Sequence, residues 1–238
     1  MKIFLAGAAG VIGRRLTPLL VAAGHSVVGT TRSADKVAAL RELGAEPVVV
    51  DVFDADALRR AVLSARPDAI IHQLTDLAFA PGTPQYQEGL VRNARIRVEG
   101  TRHLADAARA AGVRRMIAQS IAFIYAPGEG LRAESDPLSA DPALATNVNG
   151  VKALEAETLK LPEGVVLRYG FLYGEGTWSG DKPARPPAVH VDAAAQACLL
   201  ALTHGKPGVY NIAEDDGYAS SDRAKRDFGF NAGFRFTA

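Results

Sequence analysis

Three glycines at intervals of three, Gly7, Gly10 and Gly13, follow the apolar run Ile3-Phe4-Leu5-Ala6 and enclose Ala8, Ala9, Val11 and Ile12. Glycines in such a turn let backbone N–H groups approach a pyrophosphate, which then rests at the positive end of the next helix. Gly7, Gly10, Val11, Ile12 and Gly13 are therefore expected to bind a dinucleotide. The spacing is GxxGxxG rather than GxGxxG, and a tight turn without any ligand can use the same residues. A second group chooses between nucleotides. Thr30-Thr31-Arg32-Ser33 ends the next apolar run, with Lys36 one turn further on. A carboxylate there would accept from a ribose 2′-hydroxyl, whereas the Arg32 fork can pair bidentately with a 2′-phosphate. The expected cofactor is NADP, with NAD the alternative; the plainer reading of Arg32 is a solvated cation at a strand end. Asp51-Val52 suits adenine, offering a carboxylate or amide to its polar edge and an apolar wall to its ring. Capping of the next helix is the alternative for Asp51. Leu74 is grouped with these cofactor residues.

Such a turn needs a strand before it and a helix behind it. The run 3–6 reads as the strand, 11–23 as the helix, and 26–31 as a second strand after Gly24-His25. A helix over 34–43 is closed by Gly44, and a short strand over 46–50 follows. Next come a helix over 54–65 with Asp54 as its cap, a strand over 69–72 and a loop over 81–84. A long helix over 86–111 ends at Gly112. The fifth strand covers 113–119, a helix covers 141–161, and the sixth strand covers 165–169. Near-continuous apolar strands alternating with helices predict an α/β, doubly wound parallel sheet of Rossmann type. Residues 170–187, rich in glycine and proline, show no periodicity. A helix over 193–203 with Asp192 as cap, a strand over 209–212 and a helical stretch near 221–228 complete the chain. The expected organisation is a core over 1–169 and a small, shortened substrate lobe over 170–190 and 213–238. Residues 191–212 return to the core.

With 238 residues and 48% hydrophobic content, the chain can bury a sizeable core. A formal charge of +1 leaves no electrostatic footprint for nucleic acid. No apolar run reaches the roughly 18 residues that span a bilayer. The N-terminus leads straight into a strand, unlike a signal peptide. Cys198 stands alone in an apolar stretch and reads as a small core residue. A soluble, cytoplasmic protein is expected, with no nucleic-acid or membrane partner and no metal. Ligands of doubly wound sheets bind beyond the carboxyl ends of the strands. There stand Gln73, Thr75 and Asp76, then Gln119, Phe123 and Tyr125, then Tyr169, Tyr173 and Trp178. Aromatics beside a few amides suit a small polar-aromatic or cyclic substrate.

In their order and spacing these landmarks resemble the short-chain dehydrogenase/reductase superfamily, in its extended and atypical branch of NAD-dependent epimerase/dehydratase-like proteins. The resemblance runs from Met1 to about Asn211. Besides the glycine turn and Asp51 it rests on Glu99-Gly100-Thr101, on Ser120-Ile121-Ala122-Phe123-Ile124-Tyr125 and on Lys152-Ala153-Leu154-Glu155. Leu167-Arg168-Tyr169-Gly170, Tyr173-Gly174 and His190-Val191-Asp192 add to it. It implies a catalytic Ser/Thr, Tyr and Lys, the last two spaced YxxxK. The lysine holds the nicotinamide ribose and lowers the tyrosine pKa, the phenolate moves the substrate proton, and the Ser/Thr bonds the substrate oxygen.

Lys152 matches the lysine, but Val148 stands four residues before it and has no proton to move. Counting back four from Tyr125 gives Ile121, so Ser120 is one residue early, and such a shift turns a strand side chain to the other face. Tyr125 is the phenol that could stand in, although the resemblance also gives a tyrosine there a packing role. Asn147 and Asn149 could orient a carbonyl. The candidate catalytic set is Lys152, Tyr125 and Ser120. His190 is placed at the join of lobe and core. The 86–111 helix, with Arg92, Arg95, Arg97, Arg102 and Arg109, is placed at a homodimer interface. The implied function is an NADP(H)-binding oxidoreductase or epimerase/dehydratase-like enzyme acting on a small carbonyl or hydroxyl compound through a non-standard site. A nucleotide-binding sensor without turnover is the alternative, and a non-redox isomerase or lyase a third reading.

Overall fold

Alternation along the first strand sets the layers of the molecule. In β1 (Lys2–Ala6), Ile3 and Leu5 pack on Ile12, Leu16 and Leu20 of α1 (Val11–Ala22). Phe4 and Ala6 point the other way, into a second core with Leu58, Val62 and Leu104. A strand buried on both faces must lie inside a sheet with helices above and below. Each fully buried Leu, Ile or Phe contributes about 1.5–3 kcal/mol.

A computed structural model describes residues 1–77, 79 and 81–236. In chain order the next elements are β2 (Ser26–Thr31), α2 (Val37–Glu42), β3 (Ala45–Val49), α3 (Ala55–Ala65), β4 (Ala69–His72), α4 (Pro84–Arg95) and α5 (Thr101–Ala110). They are followed by β5 (Arg115–Ile121), α6 (Ala145–Leu159), β6 (Glu163–Tyr169), β7 (Phe171–Tyr173), β8 (Ala188–His190), α7 (Val191–His204), β9 (Gly208–Ile212) and α8 (Asp222–Phe228). Seven strands form one sheet in the order β3-β2-β1-β4-β5-β6-β9, parallel throughout. The sheet is the expected doubly wound parallel one. Strand order reverses between β1 and β4, and there the carboxyl ends open the crevice in which such sheets bind ligands. Among the described residues no helix is long and apolar enough to cross a membrane.

Four local expectations need correction. The 34–43 helix is split into a 3-10 turn, Ala34–Lys36, and α2. The 141–161 helix likewise opens with a 3-10 turn, Pro142–Leu144, ahead of α6. The long helix over 86–111 is interrupted by a π-helical turn, Ile96–Gly100, between α4 and α5. Asp192 does not cap α7: His190 does, its Nδ1 accepting from the Asp192 N–H at 3.2 Å. The aperiodic stretch after Tyr169 contains β7, which pairs in parallel with β8. Asp54 caps α3 as expected, accepting from the Ala57 N–H at 2.9 Å.

Candidate functional site

The glycine turn is tight enough to require its glycines. Gly7 has φ +92°, and a Cβ there would lie 2.7 Å from the Gln73 carbonyl carbon. A Cβ on Gly13 would come within 2.2 Å of the Gly7 oxygen. The Gly10 N–H closes the turn on that same oxygen at 3.0 Å. Gly10 then serves as N-cap of α1 with no side-chain cap bond and no acid in the first turn. Backbone N–H groups at a helix start, uncapped and free of acidic neighbours, favour an anion. This cradle fits a pyrophosphate.

Beside it, beyond β2 and β3, lies a pocket lined by Arg32, Val52, Phe53, Leu74, Thr75 and Ile96, among others. Three of the expected cofactor residues, Arg32, Val52 and Leu74, thus meet in one place. Val52 is buried, pressed by the π turn: a Cβ on Gly100 would lie 3.1 Å from its Cγ2. Its carbonyl accepts from His103 Nδ1 at 2.8 Å. Asp51 is exposed and does not line the pocket; its carboxylate accepts from the Phe53 N–H at 2.9 Å. Arg32 is half-exposed and stands 3.7 Å from Asp76, which accepts from Arg92 Nε at 2.7 Å.

His72, at the end of β4, fixes the backbone of Leu74 from below. Its Nδ1 accepts from the Leu74 N–H at 3.2 Å, so Nε2 carries the proton toward Thr101 Oγ1 at 3.0 Å. Full burial, and then the nearby Arg97 charge, push its pKa down to about 3. Burial also lowers Arg97, to about 10. Sequence reasoning missed His72, Phe53 and the Asp76–Arg92 pair as pocket supports. For His72, Phe53 and Asp76 the position at or just after a strand end was the available signal; Arg92, on α4, had none.

The candidate catalytic residues part company. Ser120 donates to Glu155 Oε1 at 2.7 Å. Both Glu155 oxygens accept from Arg168, at 2.8 and 2.7 Å, in a buried bidentate pair. Arg168 also donates to the Tyr125 oxygen at 2.7 Å, and Tyr125 donates to Asn211 Oδ1 at 2.6 Å. Burial raises the Tyr125 pKa against the pull of Arg168. Burial works against the Arg168 charge as well, but Glu155 more than offsets it and the pKa rises. Ser120 and Tyr125 are therefore joined in one buried network across β5, β6, α6 and β9. Lys152 stands outside it, exposed on α6. Val148 is buried with Ile121, Ile124 and Val151. Asn147 accepts from Arg97 at 3.4 Å.

Toward β7, Phe123 and Phe171 stack at 3.8 Å and 12°, and the Arg185 guanidinium lies 4.3 Å over Phe171. Tyr86 and Trp178 meet edge to face at 5.4 Å. Tyr173 donates to Glu214 at 2.5 Å and accepts from Arg235 at 2.7 Å. Burial, with Arg235 adding to it, lowers the His190 pKa. Burial pushes the Cys198 thiol up to about 12, where it is a poor nucleophile.

A family model described as NAD(P)H-binding matches residues 7–182, from the glycine turn to the stretch between β7 and β8. The chain belongs to the NAD(P)H-binding family. A Streptomyces relative, named 3-diazoavenalumate denitrifying reductase, is 38% identical over 91% of this chain and 77% of its own. The dTDP-4-dehydrorhamnose reductase of Streptomyces griseus is 28% identical over 71% of this chain and 49% of its own. Among solved structures, the UDP-glucose-4-epimerase of Stenotrophomonas maltophila with bound NAD shares the fold at a TM-score of 0.79 and 18% identity. That match covers 99% of this chain and 94% of the other. The Thermus thermophilus UDP-glucose 4-epimerase in complex with NAD gives 0.77 and 20%, covering 99% and 95%. The expected NAD(P)H binding thus holds for the family, and the resemblance to epimerase proteins holds for the fold. This NAD(P)H-binding protein has a glycine cradle that fits a pyrophosphate and a pocket adjoining it.

Proposed function

We propose that this NAD(P)H-binding protein is an oxidoreductase that prefers NADP(H) and acts on a small organic compound. The observation that carries the preference is Arg32, a cation lining the pocket where β2 ends. The N–H groups from Gly10 to Gly13 would hold the pyrophosphate, with Gly7 shaping the turn. Arg32 would hold the 2′-phosphate, while Val52 and Leu74 pack the adenosine. Lys152 would hold the nicotinamide ribose from α6. When bound, the cofactor supplies or takes a hydride. Ser120 and Tyr125 would act on the site through the Arg168–Glu155 network that holds them. The relative sharing 38% identity is named a reductase, which supports reduction over epimerisation. Its name also brings diazo compounds beside the carbonyl and hydroxyl compounds expected from the sequence. The relatives reported above are named as reductases and epimerases, and none favours the sensor reading.

A second copy of the chain would cover the groove between the α4–π segment and α6, where Ala94, Val98, Thr146 and Asn149 meet and Val91 and Val98 are exposed. NADPH oxidation with aldehydes, ketones, quinones and diazo arenes tests the activity. Turnover is expected with at least one class, falling roughly tenfold or more in Lys152→Ala as positioning of the cofactor is lost. Tight NADPH binding with no oxidation across the panel would return the protein to the sensor class.

A further inference from the structure

Two arginines from different elements converge on one oxygen atom at the rim of the Arg32 pocket. Arg92 Nε donates to Asp76 Oδ2 at 2.7 Å, and Arg32 Nη2 stands 3.7 Å from the same oxygen. Asp76 directly follows Thr75, which lines the pocket together with Arg32. The Arg32 and Arg92 side chains are 49% and 41% exposed, whereas the Asp76 side chain between them is 11% exposed. Its backbone is fixed against α4. The Asp76 N–H donates to Oδ1 of the buried Asn93 at 3.2 Å, and a Cβ on Gly89 would lie 2.5 Å from the Asp76 carbonyl oxygen. A swing of the side chain alone would therefore vacate the space between the two cations. Arg92 also reaches Glu88 at 3.5 Å on its own helix, an exposed pair that contributes little. Two cations thus share one enclosed carboxylate.

We propose that Arg92 is a second ligand of the nucleotide 2′-phosphate, and that Asp76 occupies the phosphate position until the nucleotide displaces its carboxylate. The proposal rests on the NADP(H) reading and extends it from one arginine to a pair that spans the crevice from β2 to α4. A phosphate monoester carries about −1.5 to −2 charges near pH 7 and three strong acceptor oxygens. A carboxylate carries a single charge on two oxygens. Two guanidinium forks therefore hold the phosphate more strongly than they hold the carboxylate. Repulsion between the two anions then drives the Asp76 side chain toward water. NADH has a hydroxyl in that place and cannot displace the carboxylate. Asp76 sets a threshold that only a strongly charged group crosses.

Calorimetric titrations with NADPH, NADH, 2′-AMP and 5′-AMP test this on the wild type, Arg92→Gln, Asp76→Asn and the double variant. Arg92→Gln is expected to weaken NADPH by about threefold to tenfold more than NADH, and 2′-AMP by a similar factor more than 5′-AMP. Asp76→Asn removes the competing anion and should shift both ratios the other way, by about twofold to fivefold. In a chain already carrying Asp76→Asn, Arg92→Gln should still lower both ratios. Loss of the Arg92 effect in that background would mean that Arg92 only neutralises Asp76, and would overturn the inference. Equal weakening of NADPH and NADH in Arg92→Gln, as from a disturbed α4, would overturn it too. So would an unchanged or lower ratio in Asp76→Asn. Equal wild-type affinities for NADPH and NADH would instead overturn the NADP(H) reading on which it rests.

Discussion

His72 shows how a single buried side chain ties the pocket to pH. Its folded pKa of about 3 lies below the usual 6.5 because the ring is fully enclosed beside Arg97. Above pH 6.5 the ring is neutral in both folded and unfolded chains and costs nothing. As pH falls below that value the unfolded chain takes up a proton that the folded chain refuses. Stability is then lost at about 1.4 kcal/mol per pH unit until about pH 3. Denaturant titrations at several pH values should show this slope in the wild type, and His72→Gln should remove it. An unchanged slope in the variant would contradict the assignment. The pocket side chains Arg32, Val52 and Leu74 were legible in the sequence because each follows a strand end, where a parallel sheet presents its ligands. The fate of Ser120 and Tyr125 was not legible. Their partners Glu155 and Asn211 lie 35 and 86 residues away, and only the folded sheet brings them together.

Among the elements, the strand–turn–helix at the N-terminus is the most constrained. A Cβ on Gly13 would collide with the Gly7 and Ala8 carbonyl oxygens at 2.2 and 2.6 Å, whereas one on Gly10 meets only the Gly7 oxygen at 3.2 Å. Gly13→Ala is expected to cost about 1–3 kcal/mol or more by overpacking, and to weaken nucleotide binding strongly. Gly10→Ala should be the milder change in both respects. Thermal denaturation and NADPH titration of the two variants check the order; a reversed order would place the close approach elsewhere. Strands β1, β2 and β4 could be read from the chain to within a residue because their side chains are buried on both faces. The π turn could not. The apolar spacing over 86–111 satisfies one continuous helix, and the widened turn answers to Val52 against Gly100 and to His72 on Thr101, contacts made only after β4 and the helix are packed.

For the molecule as a whole, two cores hold a seven-stranded sheet whose crevice opens beside the glycine turn. The outer face of the α4–π segment keeps Val91 and Val98 exposed. Light scattering is expected to give twice the chain mass of 25.1 kDa, and Val98→Glu to return the single-chain mass by placing a charge in the shared groove. A monomeric wild type would remove the second copy from the proposal. The proposed nucleotide choice would reach across the molecule too, because Arg32, just after β2, is paired with Asp76 after β4, which Arg92 of α4 also holds. Calorimetric titration of the wild-type protein and of Arg32→Ala with NADPH and with NADH tests the proposed function most directly. The wild type should bind NADPH more tightly than NADH, by roughly tenfold to a hundredfold for a charge-assisted phosphate contact of about 1.5–3 kcal/mol. Arg32→Ala should erase that difference while leaving NADH affinity within about twofold. Equal affinity for both nucleotides in the wild type, or a preference that survives the loss of Arg32, would contradict it.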